Sequence, residues 1–374
     1  MSFIYSGFIL TTCQVGAEIT LKEEMSRIHP DLHASYSRPG FVTFKKVGGE
    51  QIGSDFELGS IFARAYSLSI KKIDKKSGGT DIQSRAAAAL EFILTIPSKN
   101  QKLPFRLHVW ERDQWSPGEE PRGFVSGRWA EEARKAILNE EASRRLKLFH
   151  AEEAALLGEI VIDVVCVEEH EWWIGLHEQT ADHASYAGGI PKLELPEEAP
   201  SRAFLKLEEG VLWSSAPLHK GDVAVEIGSA PGGASYALLK RGVSVVGIDP
   251  AEMDPRVLKS KNFIHIQKPV ASVLREDLPN VVHWLLLDMN VTPYVTLFQI
   301  DRLATRLKDS LLGVILTIKL NEWRIAREIP SMFDHLRAMG MVRIRAKQLW
   351  SNKQEVLIFA LTRKGAARQG DRGK

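Results

Sequence analysis

Cysteine is scarce in this chain: Cys13 and Cys166 are the only two among 374 residues. Two thiols so far apart make neither a metal-ligand pattern nor a disulfide framework, and their scarcity suits a reducing cytoplasm. Long apolar runs are missing as well, since no stretch reaches the ~18–20 residues of a membrane span. The amino-terminal SFIYSGFILTT has no basic residues ahead of its short apolar stretch, so a first strand is expected there rather than a signal peptide. There is no low-complexity tract and no internal repeat. Eleven histidines show no ligand spacing, and His177 and His183 in HEQTADH lie too far apart for one helix face, so no metal is expected.

What is present suffices for more than one core. The length exceeds the ~250–300 residues at which a single core usually stops growing, so two or three units are expected. Hydrophobic residues make up 44% and charged residues 26%, the balance of an ordinary globular protein. The net charge of +2 conceals regional differences: residues 1–150 carry +4, residues 151–200 carry −11 and residues 201–374 carry +9. A basic carboxy-terminal half suits a polyanionic partner, although charge alone is weak evidence.

Periodicity divides the chain. SFIYSGFIL, GFVTFKK and PFRLHVWE read as strands, and GAEITLKEEMSRI, DIQSRAAAALEFIL and VSGRWAEEARKAILNEEASRRLKLF as helices. EIVIDVVCV and WWIGLHE form a strand pair across the acidic turn EEHE. Helices on mixed sheets are expected over residues 1–75 and 76–185. Two glycines and three prolines in YAGGIPKLELPEEAP mark residues 186–200 as an irregular linker. From residue 201 to 374, buried-length strands alternate with helices (DVAVEIG, VSVVGID, FIHIQ, HWLLLDM, GVILTIK). That alternation predicts an α/β domain with a mostly parallel sheet, closed at one edge by an antiparallel hairpin of VRIRAKQLW and EVLIFALTRK.

The loop EIGSAPGGASY, Glu226 to Tyr236, follows the first of those strands. No Lys follows Gly233, so a Walker loop is excluded, and the spacing does not fit a nicotinamide GxGxxG. A turn that brings backbone close to an S-adenosylmethionine-like ligand remains, with Asp249 at the end of the second strand placed to accept from ribose hydroxyls. The plain alternative is a tight turn and a helix-capping aspartate.

EIGSAPGG followed by IDPAEMDP resembles the FtsJ-type ribose 2′-O-methyltransferases of ribosomal RNA, and APSRAFLKLEE resembles the same group's S-R-A/S-x-x-K-L-E/D segment. YAGGIPKLELPEEAPSRAFLKLEE with WLLLDM, LTIKL and AKQLWSNKQEV is similar to one branch, the large-subunit methyltransferase M (RlmM) family. FILTTCQVGAEI and GSIFARAY resemble that family's amino-terminal segments more loosely. The resemblance implies a Rossmann-like class I methyltransferase domain at 201–374, preceded by a ferredoxin-like piece at 1–75 and a THUMP-like RNA-binding domain at 76–185. It implies a cytoplasmic, monomeric enzyme that uses S-adenosyl-L-methionine on a cytidine of 23S ribosomal RNA, free or in a precursor particle. An RNA-binding or assembly protein with an inactive methyltransferase fold, or an enzyme for another RNA, are the alternatives.

By the same resemblance, the catalytic set is Lys206, Asp288, Lys319 and Glu355, and the cofactor set is Ser201, Gly228, Ala230, Pro231, Gly232, Gly233, Asp249 and Asp288. Lys319 is assigned as proton acceptor or as an ammonium that positions the hydroxyl. Burial and Lys206 would lower its pKa, while Asp288 and Glu355 would raise it. One departure stands out: Lys268 and Pro269 occupy the place of the family's acid near the adenine. Trp172 and Trp173 read as strand core, WSPGEEPRG (115–123) as a loop, and RIRAKQLWSNK as either an RNA-groove lining or a charged edge strand.

Overall fold

The computed structural model describes residues 5–96, 104–119, 127–307 and 309–370. Residues 2–4 of the expected first strand, 120–123 of the WSPGEEPRG loop and 125–126 of the expected long helix lie outside them. The chain divides into two compact units, Met1–Lys192 and Leu193–Lys374. Among the described residues no helix is long and apolar enough to cross a membrane.

The first unit holds β1 (Tyr5–Ser6), β2 (Phe8–Thr12), β3 (Leu32–Arg38), β4 (Phe41–Lys46), β5 (Ile52–Gly53), β6 (Ala65–Ile73), β7 (Arg106–Glu111), β8 (Ile160–Glu168) and β9 (Glu171–Glu178). β1 and β5 pair as a short ribbon, and the other seven form one sheet ordered β3-β4-β2-β6-β9-β8-β7. Among the described strands of this sheet, only the β7–β8 pair is parallel. Ile162, Val164 and Cys166 of β8 pack into the core beneath the helices Ile82–Leu94 and Arg128–Ser143. Val165 and Val167 pack on the opposite face with Leu10, Phe41 and Trp110. Burial on both faces explains why β8 is an almost unbroken apolar run. The two helices bury Ala86, Ala89 and Ile93, and Ala130, Ala133 and Ile137, at the spacing of one helical stripe.

Two sequence expectations change here. Residues 1–75 and 76–185 share one sheet rather than forming separate bodies, because β6 pairs with β2 on one side and β9 on the other. The long helix ends at Ser143, not near Phe149. Arg145 takes a left-handed φ of 55°, which terminates the helix, and Phe149 then bridges Phe105 beside β7.

The second unit holds β10 (Val223–Ile227), β11 (Ser244–Ile248), β12 (Phe263–Ile266), β13 (Trp284–Leu287), β14 (Gly313–Lys319), β15 (Met341–Lys347) and β16 (Glu355–Thr362). Their order is β12-β11-β10-β13-β14-β16-β15. The first five are parallel, and β16 and β15 run antiparallel as the closing hairpin. Helices span Ala203–Ser214, Gly233–Lys240, Pro293–Leu307, Ile329–Ala338 and Arg363–Gly370. This is the expected Rossmann-like α/β sheet. The chain lays β11 and β12 outward from β10, then returns to add β13 and β14 on the other side. Ligands of such sheets bind where that direction reverses, beyond the carboxyl ends of the two central strands. Here those ends are Ile227 and Leu287, and the next residues are Gly228 and Asp288.

Candidate active site

Gly228 leaves β10 with a φ of 79°, and a Cβ there would lie 2.5 Å from the Asp288 carbonyl oxygen. Only glycine lets the two central strands close so tightly at the reversal. The loop then folds over β11: the Ala230 amide donates to Asp249 Oδ2 at 3.0 Å, and the Ala251 amide to Asp249 Oδ1 at 2.9 Å. Each of these carboxylate oxygens retains a further lone pair for a ligand hydroxyl. The Pro231 carbonyl accepts from the Asp254 amide at 3.0 Å. Gly232, with φ 112°, opens the helix Gly233–Lys240, and a Cβ on it would meet Val257 at 2.7 Å and Met253 at 2.9 Å. The expected reason for Gly232, close approach to a ligand, is therefore joined by a constraint from within the fold. A Cβ on Gly233 would fall on the Ser201 hydroxyl, so Ser201, just ahead of the helix Ala203–Ser214, lies against the glycine loop.

Glu226 precedes this loop and is buried, with Oε2 accepting from the Ser235 hydroxyl at 2.5 Å. Burial pushes its carboxyl up to about 8; the Ser235 bond opposes the rise, and the neighbouring Asp288 and Asp249 add to it. Glu226 thus carries its proton at neutral pH.

The four residues of the expected catalytic set come together as a closed ring of alternating charge. Lys206 Nζ lies 3.3 Å from Asp288 Oδ2 and 2.5 Å from Glu355 Oε1. Lys319 Nζ lies 2.7 Å from Asp288 Oδ1 and 2.6 Å from Glu355 Oε2. Lys206 comes from the helix, Asp288 follows β13, Lys319 ends β14, and Glu355 opens β16 directly opposite it. Burial disfavours the Lys319 ammonium, but Glu355 and Asp288 prevail and hold its pKa above the usual lysine range. Burial likewise favours a neutral Asp288, and Lys206 and Lys319 overcome it, holding that carboxyl below its usual range. Of the opposing effects weighed from the sequence, the two carboxylates outweigh burial and favour the ammonium.

Two further residues shape the site without a local signal. Asn352 Nδ2 donates to Glu355 Oε1 at 3.4 Å while its Oδ1 accepts from the Leu349 amide at 3.0 Å. Arg302 donates to the carbonyls of Val270 at 2.6 Å and Val273 at 2.9 Å, bracing the segment after β12 that follows Pro269. Lys268 pairs with Asp277 at 3.0 Å. β15 is the edge strand of its sheet, and its Arg345 stacks over Trp213 at 4.6 Å. In the first unit, Trp172 is core and Trp173 packs on Tyr36 and Phe41. The rings of His177 and His183 lie 4.1 Å apart and parallel, brought together by a turn that their spacing did not reveal.

Cradle, acids and charge ring all lie on the Rossmann-like sheet of the second unit. Residues 199–322 match the FtsJ-like methyltransferase family. Three similar proteins are each named ribosomal RNA large subunit methyltransferase M. That of Sodalis glossinidius is 32% identical over 190 residues, covering 48% of this chain and 51% of that protein. The Xylella fastidiosa M12 protein is 30% identical over 192 residues, 49% and 53% of the two chains. The protein of Musicola paradisiaca is 29% identical over 228 residues, 58% and 60%. The chain is similar to this large-subunit methyltransferase M family and spans about half the length of these relatives.

Proposed function

We propose that this protein methylates a ribose 2′-hydroxyl of ribosomal RNA, at a cytidine of the 23S chain, with S-adenosylmethionine as donor. The observation that carries the reading is the closed ring of Lys206, Asp288, Lys319 and Glu355 beside the glycine cradle. The cradle fits the donor: close-packed glycine backbone at the strand reversal, Ser201 against it, and carboxylates at Asp249 and Asp288 that suit hydroxyl donors and a cationic group. Bound S-adenosylmethionine supplies an electrophilic methyl whose bonding electrons remain on sulfur.

The charged state of Lys319 argues against a free amine waiting to deprotonate the substrate. Its N–H groups instead aim the 2′-oxygen in line with the methyl, and alignment of this kind supplies much of a methyl transfer's rate. The hydroxyl proton leaves late, once the forming bond has made the oxygen strongly acidic. Asp288 and Glu355, already in hydrogen-bond contact with both lysines, take it up. On this reading the first unit, as ferredoxin-like and THUMP-like pieces, supplies affinity for RNA, and the protein acts as a cytoplasmic monomer on 23S RNA or a precursor particle.

The test is methyl transfer from labelled donor to ribosomal RNA from a strain lacking the gene, with ribose methylation mapped by primer extension. One labelled cytidine in 23S RNA is expected, and removing residues 1–185 should raise the KM for RNA. Cofactor binding without transfer to any RNA would favour an inactive fold that only binds RNA. Label in another RNA would replace the substrate and keep the chemistry.

A further inference from the structure

The helix Ala203–Ser214 carries a buried acid one turn after Lys206. Glu209 is 3% exposed, and both its oxygens are used: Oε1 accepts from the Trp350 amide at 2.8 Å and Oε2 from the Ser351 amide at 2.7 Å. Residues three apart on a helix share a face, so Lys206 and Glu209 point toward the same neighbour. That neighbour is the loop between β15 and β16, which ends at Glu355. The loop is fixed internally, with the Leu349 amide donating to Asn352 Oδ1 and Gln348 Nε2 donating to the Lys353 carbonyl at 3.2 Å. Its far end is tied to the end of β14 by the Leu320 amide, which donates to the Gln354 carbonyl at 2.9 Å. At the next residue of the helix, Gly210, a Cβ would come within 2.8 Å of the Leu357 side chain in β16, so helix and strand pack closely there.

We infer that Glu209 is a positioning residue of the active site: its carboxylate pins the 350–351 backbone to the helix and thereby sets the distance between Lys206 and Glu355. This rests on the proposed methyl transfer for its kinetic consequence, but not for its geometry. A buried carboxylate is costly unless hydrogen-bonded, and these two amides satisfy it at bond lengths typical of charge-assisted contacts. The same two amides would face an amide NH2 on one side in a Glu209→Gln variant, so a donor would meet a donor and the loop would shift with its charge partner lost. Glu355 would then leave Lys319, whose ammonium it and Asp288 hold above the ordinary lysine range.

The experiment uses the full chain and reads Lys319 directly, by the rate at which an amine-acylating reagent modifies it at pH 8, located by peptide mass mapping. Glu209→Gln should bind S-adenosylmethionine as the parent does, because the cradle is untouched, yet acylate Lys319 at least ~3-fold faster, as more of the lysine becomes free amine. In the transfer assay kcat should fall at least ~10-fold with the KM for cofactor unchanged, the loss expected of a displaced acid–base group. Unaltered Lys319 acylation in a Glu209→Gln protein that binds cofactor would overturn the inference. If that variant fails to bind cofactor, Asn352→Ala, which removes the loop's own contact to Glu355, decides in its place by the same acylation rate. The acylation readout needs no RNA, so a protein that proved to methylate nothing would sink the proposed function and leave this assignment standing.

Discussion

Each unit buries charge, but in different ways. In the first, Arg64 meets Asp113 at 2.8 Å with side-chain exposures of 4% and 2%, sealed within the fold. Asp163 and His177 meet at 2.6 Å in equal isolation. In the second, Lys206, Lys319 and Asp288 keep 16–26% of their side chains open, and every member of the ring has two partners of opposite sign. A sealed pair can only brace a fold, whereas a ring open at a crevice can exchange one partner for a ligand without leaving a charge unpaired. The contrast separates structural charge from chemical charge more clearly than residue type does. Cys13 and Cys166 fall on the sealed side, since burial pushes both thiols far above their usual range and leaves them inert.

The comparison breaks if a sealed charge proves dispensable. Arg64→Ala leaves Asp113 buried without its cation, and unfolding stability should drop by about 3–5 kcal/mol, read by denaturant titration. Cofactor affinity should stay at the parent value wherever the variant is folded, because every residue proposed to hold the cofactor lies in the second unit.

The reverse pattern is expected for the ring. Lys319→Ala should lower methyl transfer at least ~100-fold while changing the melting temperature and cofactor binding little. Lys319→Arg should not restore activity, because the planar guanidinium cannot reproduce the ammonium's position between two carboxylates. Full activity in Lys319→Ala would return the lysine to the structural class.

The smallest effect sharpens the contrast within one unit. Glu226 is sealed and its carboxyl raised, so the folded state holds a proton that the unfolded chain releases above the ordinary glutamate value of 4.5. Its contribution is fully present below that value and is lost as pH rises toward about 8. The parent should therefore lose stability over that window, at up to ~1.4 kcal/mol per pH unit, relative to Glu226→Gln, which cannot ionise. Parallel pH curves for the two proteins would place Glu226 with the solvated acids.

The second unit was the more legible in sequence, for a physical reason. Its parallel strands are buried on both faces, so β10, β13 and β14 stand out as apolar runs, and the functional residues sit directly at their ends. Gly228 and Asp249 could be placed from that rule, and the family resemblance added Asp288 and Lys319, which also end or follow strands. The first unit hid its continuity because β6, AYSLSIKKI, mixes polar and apolar residues and earns its place by pairing with strands far away in sequence. Glu209 was hidden for the same reason, as its amide partners lie 141 and 142 residues further on. Arg302 braces a loop some thirty residues before it, and no local pattern announces such a reach.

The reversed direction of β16 has a consequence for how the site tolerates change. Every parallel strand in this sheet reaches the crevice at its end, after its full length has been laid down. β16 enters the sheet at the crevice and spends its length travelling away, so Glu355 is delivered first. Additions to the helix Arg363–Gly370, at the far edge, fall downstream of the chemistry. A one-residue slip against β14 would bring Gln354 or Val356 opposite Lys319 and turn the acid to the other face of the sheet. The machinery is thus indifferent to length on one side of this strand and intolerant of a single register error on the other, so hairpin alignment, rather than loop size, sets where the acid stands.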